Sequence, residues 1–158
     1  MTPIDPIRFR ELLGSFATGV AVMTALDVHG HPAGITVSAL ASVSLDPPLL
    51  LVCVAHDADF HGVISNAAQF GLSILAEDQE LVSRRFAADV DDRFAGVGWT
   101  THATGVPLIE GAVAHVVCAT REPRDAGDHT VFFGEVLDGE VFPREPLLHH
   151  RGGYRRLR

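Results

Sequence analysis

The chain contains no lysine: all 12 of its basic residues are arginines, set against 20 aspartates and glutamates, and its formal net charge is −8. Binding a nucleic-acid backbone requires a basic stripe that neutralises phosphates. The one basic cluster, residues 151–158, is a short segment at the end of the sequence. The charge balance therefore predicts no nucleic-acid partner.

Long apolar runs are also missing. The longest, residues 49–55, is far shorter than the roughly 20 residues that a membrane-spanning helix needs. The first residues include Asp5 and Glu11 and lack the apolar segment of a secretory leader. These absences predict a cytoplasmic protein with no membrane association.

Cysteine is scarce, with only Cys53 and Cys118, and both lie inside apolar strand patterns. We expect buried, reduced thiols, as is usual for a cytosolic protein. The nine histidines do not combine with the cysteines at spacings typical of zinc sites. The sequence therefore predicts no metal.

Apolar residues make up 47% of the 158 positions, enough for a real core within a single domain spanning residues 1–158. Asp5-Pro6 predicts a helix start, and Gly19 its end. At least six strands and two or three short helices follow, which favours a closed antiparallel barrel. The predicted strands are 20–26, 33–40, 49–54, 70–75, 112–120 and 130–142; further short helices are predicted at 59–67 and after Asp78, where Asp78 is the expected cap.

Residues 36–44 form an unusual run, because Thr36, Ser38, Ser42 and Ser44 alternate with small apolar residues. Small side chains let a flat ligand approach the backbone, and hydroxyls can bind its polar edges. The alternative is an ordinary strand with exposed Ser and Thr. Pro47-Pro48 then sets an extended corner before a strand, 49–54, expected to be buried on both faces.

His129 follows the polar turn Gly127-Asp128 and begins an apolar strand. This arrangement would place a hydrogen-bonding side chain at the mouth of a barrel, although a histidine after a turn is also commonly a surface residue. Ser83 to Phe86 could direct a guanidinium at a phosphate or form a solvated helix face. The chain lacks the glycine-rich phosphate loops and the GxSxG elbow, so nothing supports a hydrolase.

Taken in order, the motifs resemble those of the flavin reductase-like, FMN-binding split-barrel family. The resemblance covers almost the whole chain. The matching segments are 16–22 (FATGVAV), 34–38 (GITVS), 42–49 (SVSLDPPL), Phe70 with 74–75, 85–87 (RFA), 92–94 (DRF) with Trp99, 107–112 (PLIEGA), 127–129 (GDH) with 134–136 (GEV), and 146–148 (PLL) with Tyr154.

This resemblance implies a mainly β, Greek-key split β-barrel with a few short peripheral helices, assembled as a homodimer. It implies an NAD(P)H:flavin oxidoreductase that supplies reduced FMN or FAD to a partner monooxygenase, with NADH or NADPH as co-substrate. The alternatives are a flavoprotein that keeps FMN and acts directly on another substrate, and a non-catalytic flavin-binding module.

The resemblance also implies the site residues. His129 would lie beside the nicotinamide as the catalytic residue. Thr36, Val37, Ser38 and Ala39 would follow the flavin ring, with Ser42 nearby. Cys53, Val54 and Ala55 would line the pocket, Ser83, Arg85 and Phe86 would face the ribityl phosphate, and Tyr154 would border the site.

The loop at residues 55–60 departs from the family pattern, which is rich in Ser and Thr. Here Asp57 and Asp59 stand where the anionic flavin tail is expected. Two like charges about 6 Å apart repel by roughly 3 kcal/mol at an effective dielectric near 20. Alternatively, Asp59 caps the next helix and Arg85 holds the tail.

Overall fold

The computed structural model describes residues 2–157. Three short helices lie among the strands: α1 (Pro6–Gly14), α2 (Asp59–Asn66) and α3 (Glu80–Ala87). The strands are β1 (Thr18–Gly19), β2 (Ala21–Leu26), β3 (Pro32–Val37), β4 (Leu40–Leu45), β5 (Pro48–Ala55), β6 (Gln69–Ile74), β7 (Trp99–Thr101), β8 (Pro107–Ile109), β9 (Ala114–Thr120), β10 (Arg124–Ala126), β11 (His129–Val141), β12 (Leu148–His150) and β13 (Gly153–Arg155).

The main sheet is antiparallel and runs in the order β3-β2-β6-β9-β11-β5-β4, with β10 added to β11 as a hairpin. Its two outermost strands, β3 and β4, are joined in the chain by Ser38 and Ala39 alone. The Cα atoms that flank this link can be at most about 11 Å apart. The sheet must therefore curl until its edges face each other, and the predicted mainly β split barrel is confirmed.

The barrel interior is filled by alternate residues of the strands, including the fully buried Met23, Phe70 and Phe132, and by Phe60 and Ile64 of α2. A second core lies between the outer face of β2 and α3. Strand β2 is therefore buried on both of its faces.

Strand β5 was predicted to have two buried faces, and this prediction was wrong. Its buried and half-exposed residues alternate, because only one face points into the barrel. The buried residues on that face are Leu50, Val52 and Val54.

The first helix begins as predicted, because the Asp5 Oδ1 atom accepts hydrogen bonds from the backbone N–H groups of Ile7 at 2.9 Å and Arg8 at 3.0 Å. The predicted end at Gly19 was wrong. The helix stops at Gly14, and Gly19 belongs to β1, where it pairs with Leu148 of β12. A distant strand competes here with local helix propensity, which a window of sequence does not reveal.

Two polar segments also differ from expectation. Asp78 does not cap α3: the cap position is Gln79, and the Asp78 carboxylate instead pairs with Arg144 at 2.5 Å. The segment 121–128, which lies between the predicted strands 112–120 and 130–142, contains a further strand, β10, which extends the sheet beside the start of β11. The first difference arises from an ion pair with a distant residue, and the second from a tight hairpin with the adjacent strand.

Candidate active site

A groove lies at the seam where the sheet edges face each other. It has a volume of about 290 Å³ and is lined by residues 16–21 together with Val37, Ser38, Leu40 and Ile74. Ser38 and Ala39 are exposed at this seam, and the backbone N–H of Cys53 donates to the Ala39 carbonyl at 3.0 Å. The groove is thus mostly apolar, with the hydroxyl side chains of Thr18 and Ser38 in its lining, which suits a flat heteroaromatic ring.

His129 lies beside the pocket residues predicted on β5. In the antiparallel register it pairs with Ala55, and Val131 pairs with Cys53. Ala55 and Cys53 are half-buried on the outward face, whereas the side chain of Val54 is 2% exposed and points into the barrel. The structure therefore brings Cys53, Ala55 and His129 onto one surface. Because the Val54 side chain points into the barrel, only the backbone of Val54 could contact a ligand on that surface.

The imidazole of His129 is oriented by its neighbour. The Asp128 Oδ1 atom lies 2.7 Å from the Nδ1 atom of His129. This hydrogen bond lowers the pKa of the Asp128 carboxyl, so the group is ionised at neutral pH and can only accept. The Nδ1 atom therefore carries the proton, and the neutral ring presents Nε2 as an acceptor.

Thr36, Ser83 and Tyr154 are joined by hydrogen bonds. The Thr36 hydroxyl donates to the Ser83 carbonyl at 2.6 Å, and the Ser83 hydroxyl shares a hydrogen bond of 2.8 Å with the Tyr154 hydroxyl. Ser83 is completely buried. The predicted flavin contacts of these three residues stay predictions, and their polar atoms already have partners within the chain.

The other residues predicted around the flavin are more scattered. Phe86 is fully buried in the second core and packs edge-on against Phe94 at 5.0 Å between ring centres. Ser42 is exposed on β4 opposite Leu50. Arg85 donates through Nε to the Arg93 carbonyl at 2.9 Å and through Nη2 to the Asp92 carbonyl at 2.7 Å. Its guanidinium therefore orders the loop after α3.

Arg93 belongs to the 92–94 motif, but no role was predicted for it; in the structure it is a cation that holds three segments together. Its Nη1 atom lies 2.9 Å from Asp59 Oδ1 and 3.2 Å from the Gly34 carbonyl, and its Nε atom donates to the Ala88 carbonyl at 3.0 Å. The side chain is only 14% exposed. It thus ties α2, β3 and the end of α3 together.

The same contact changes the interpretation of the acidic loop. Asp59 does not cap α2: Ala58 is the cap residue and Asp59 is the first residue of the helix. Because Arg93 compensates the Asp59 charge, only Asp57 of the two carboxylates remains exposed without such a partner among the described residues. The expected repulsion of a flavin tail is correspondingly smaller.

A further set of residues was missed altogether. His61, Asp125 and the buried Thr130 meet through side-chain hydrogen bonds on the barrel side of β11. Asp125 and Thr130 face each other in one hairpin, but His61 lies 69 residues from Thr130 along the chain, so no local spacing could have indicated the full set. Within residues 2–157, no group of three or more His, Cys, Asp or Glu side chains is arranged to hold a metal ion.

Comparison with known proteins identifies the family. A family model described as a flavin reductase like domain matches residues 13–158. The chain belongs to the flavin reductase-like family. It is 40% identical over 152 residues to the reductase subunit HsaB of a flavin-dependent monooxygenase from Rhodococcus jostii, covering 96% of this chain and 77% of that protein.

Solved structures support the same assignment. The flavin reductase fold described above superposes with a TM-score of 0.93 on the NADH:FAD oxidoreductase SgcE6 of Streptomyces globisporus, in complex with NAD and FAD fragments. The two chains are 39% identical, and the match covers 100% of this chain and 98% of the other. Some relatives are longer: the chain is 41% identical to a probable flavin reductase of Rhizobium meliloti but spans only 48% of its length.

Proposed function

We propose that this flavin reductase uses NADH or NADPH to reduce FMN or FAD and then releases the reduced flavin to a separate flavin-dependent monooxygenase. The observation that carries the proposal is the seam groove with Ser38 at its edge and the His129 surface joined to it through Ala39 and Cys53. The names of the two close relatives, a monooxygenase reductase subunit and an NADH:FAD oxidoreductase, support it.

The residues of the groove fit a flavin ring. Its apolar lining removes the ring faces from water, and the exposed Ser38 hydroxyl and the backbone of Val37 to Ala39 supply donors for the polar edge. The half-buried Cys53 and Ala55 continue this surface toward His129. The bound flavin supplies the hydride-accepting chemistry, and the chain's own task is to bind, orient and exclude water.

His129 holds the nicotinamide. With its Nδ1 proton directed at Asp128, its Nε2 lone pair is free to accept a hydrogen bond from the carboxamide N–H₂ group. This contact orients the ring without requiring His129 to transfer a proton. Orientation of this kind is worth a large factor in rate, because a displacement of about 1 Å costs about 100-fold.

The enzyme is a cytoplasmic homodimer. Apolar side chains of α1, and of Phe16 two residues beyond its end, are exposed: Ile7 is 72% exposed, Phe9 54%, Leu13 53% and Phe16 73%. Clustered exposure of this kind marks an interaction surface. Phe16 also lines the seam groove, so a second copy seated on this surface would border the flavin site.

The activity is tested by steady-state oxidation of NADH and NADPH with added FMN, FAD and riboflavin. We expect turnover that depends on both substrates, and an unchanged flavin affinity but a higher KM for the pyridine nucleotide in His129→Ala. Absence of flavin-dependent turnover with every pair would contradict the proposed activity.

The homodimer is tested by sedimentation. The interface should bury roughly 2,000 Å² or more, so Leu13→Glu should yield monomers at micromolar concentration. Leu81→Glu, which alters an 81% exposed leucine on α3, is the matched control and should remain dimeric. A monomeric native protein would refute the assembly.

A further inference from the structure

Thr130 is the centre of a polar cluster on the face of β11 opposite to His129. Thr130 is only 4% exposed. The hydroxyl oxygen lies 2.8 Å from Nε2 of His61 on α2 and 2.9 Å from Oδ1 of Asp125 on β10. Nε2 of His56, in the loop after β5, lies 3.4 Å from the same carboxylate oxygen.

The direction of these hydrogen bonds follows from the donor inventory. An ionised carboxylate can only accept, so the single hydroxyl proton of Thr130 goes to Asp125. The hydroxyl must then accept from His61, which fixes the proton of the neutral His61 ring on Nε2. Consistently, the hydrogen bond from Thr130 is the main cause of the lowered pKa of Asp125.

The cluster anchors the hairpin that carries His129. Every residue from 121 to 128 is exposed, so this segment gains little from apolar packing. Besides its backbone pairing with β11 and the ion pair of Arg121 with Glu135 at its start, it is attached by the His56 N–H donating to the Asp128 carbonyl at 3.0 Å and by the Asp125 carboxylate at Thr130. Asp128 in turn holds the imidazole of His129.

We propose that Thr130 is a positioning residue that fixes the Asp128–His129 turn for the nicotinamide by clamping Asp125 against α2. The inference rests on the proposed role of His129. Without the Thr130 hydroxyl, Asp125 keeps only His56, His61 loses its acceptor, and the turn is released from the helix. His129 then reaches the position required by the nicotinamide in only a fraction of molecules.

The test compares Thr130→Val with Thr130→Ser, which retains the hydroxyl. Thr130→Val should lower kcat/KM for the pyridine nucleotide by about 10- to 100-fold, mainly through KM, with flavin Kd changed less than about twofold. Thr130→Ser should restore most of the loss. Thr120→Val is the matched control, because the Thr120 hydroxyl is buried in the same sheet without a hydrogen-bond partner, and its nucleotide kinetics should stay normal.

A second variant avoids the core. Asp125 has a side chain that is 83% exposed, so Asp125→Ala should fold normally and reproduce the rise in KM. Nitrogen NMR provides a readout independent of activity: the wild-type His61 ring should be protonated at Nε2 when neutral, and Thr130→Val should release this preference. A His61 ring with Nδ1 protonated in the wild type would overturn the inference.

The double variant Thr130→Val/His129→Ala separates this inference from the proposed function. If Thr130 acts through His129, the double variant should be no worse than His129→Ala alone. Additive losses in the double variant would overturn the role of Thr130 and leave that of His129 intact. Normal nucleotide kinetics in both Thr130→Val and Asp125→Ala, with His129→Ala impaired, would do the same. Normal nucleotide kinetics in His129→Ala would overturn the proposed role of His129 and this inference with it.

Discussion

The two hydroxyls of β3 and the seam should respond to mutation in opposite ways. Ser38 is exposed at the edge of the groove, whereas the hydroxyl of Thr36 donates to the Ser83 carbonyl at 2.6 Å. We therefore expect Ser38→Ala to weaken flavin binding without affecting stability. Thr36→Val should mainly weaken the attachment of α3 to β3.

The magnitudes follow from the net value of one hydrogen bond, about 0.5–1.5 kcal/mol. For Ser38→Ala this corresponds to a flavin Kd raised about 2- to 13-fold, with a free energy of unfolding that changes by less than about 0.5 kcal/mol. For Thr36→Val we expect the free energy of unfolding to fall by about 1 kcal/mol. Its flavin Kd should change less than that of Ser38→Ala.

Titration by flavin fluorescence quenching measures Kd, and urea denaturation of the flavin-free protein measures the free energy of unfolding. An unchanged flavin Kd in Ser38→Ala would indicate that Ser38 is an exposed polar residue at the end of a strand and does not contact the flavin. A Thr36→Val variant that lost affinity at full stability would show that its hydroxyl serves the ligand rather than α3.

Three further predictions concern the scaffold. Gly134→Ala should lower the free energy of unfolding by about 1–3 kcal/mol in urea denaturation, because a Cβ atom there would lie 2.5 Å from Phe70 Cζ and 2.8 Å from Cys118 Cβ. An unchanged urea midpoint would show that the core rearranges to accommodate the methyl group. Burial raises the pKa of the Cys118 thiol to about 12, so between pH 9 and pH 10 the unfolded chain loses a proton that the folded chain keeps. The free energy of unfolding should therefore fall by about 1 kcal/mol over this range, and Cys118→Ala should lack this contribution to the pH dependence of stability. Arg93→Met should lower the free energy of unfolding by about 2–4 kcal/mol, because it leaves the Gly34 and Ala88 carbonyls without the guanidinium. Asp59→Asn should lower it by less than about 1 kcal/mol, since that carboxylate is 61% exposed. Equal losses of the two variants in urea denaturation would assign the stability to the ion pair.

Features set by a repeating pattern could be predicted from the sequence. The start of α1 follows from the Asp5 carboxylate and Pro6, whose contacts are local. The long strands β9 and β11 follow from alternation of apolar residues. The order of the family motifs predicted the site segments, and the structure brings the 36–39, 53–55 and 129 segments together.

Features set by pairing between distant residues could not be predicted. Nothing near Thr36 indicates that its hydroxyl will be bound by α3, and nothing near Asp59 indicates that Arg93 will compensate its charge. The same holds for the hydrogen bond between Thr130 and His61, which lies 69 residues away on α2. Local sequence states which groups are polar, but the fold decides which of them remain available to a ligand.

This distinction bears on how the flavin is held. On the side expected to face its phosphate, Ser83 is bonded to Tyr154 and Arg85 to two backbone carbonyls. A phosphate that recruited the Ser83 hydroxyl would have to exchange its hydrogen bond with Tyr154 for a new one, with little net gain, whereas Arg85 uses only two of its five N–H donors on those carbonyls. In the proposed binding mode, burying the ring in the seam groove contributes binding free energy that FMN, FAD and riboflavin share, because all three carry that ring. Such a site favours tolerance of several flavins and ready release of the reduced one, as supply to a separate monooxygenase requires.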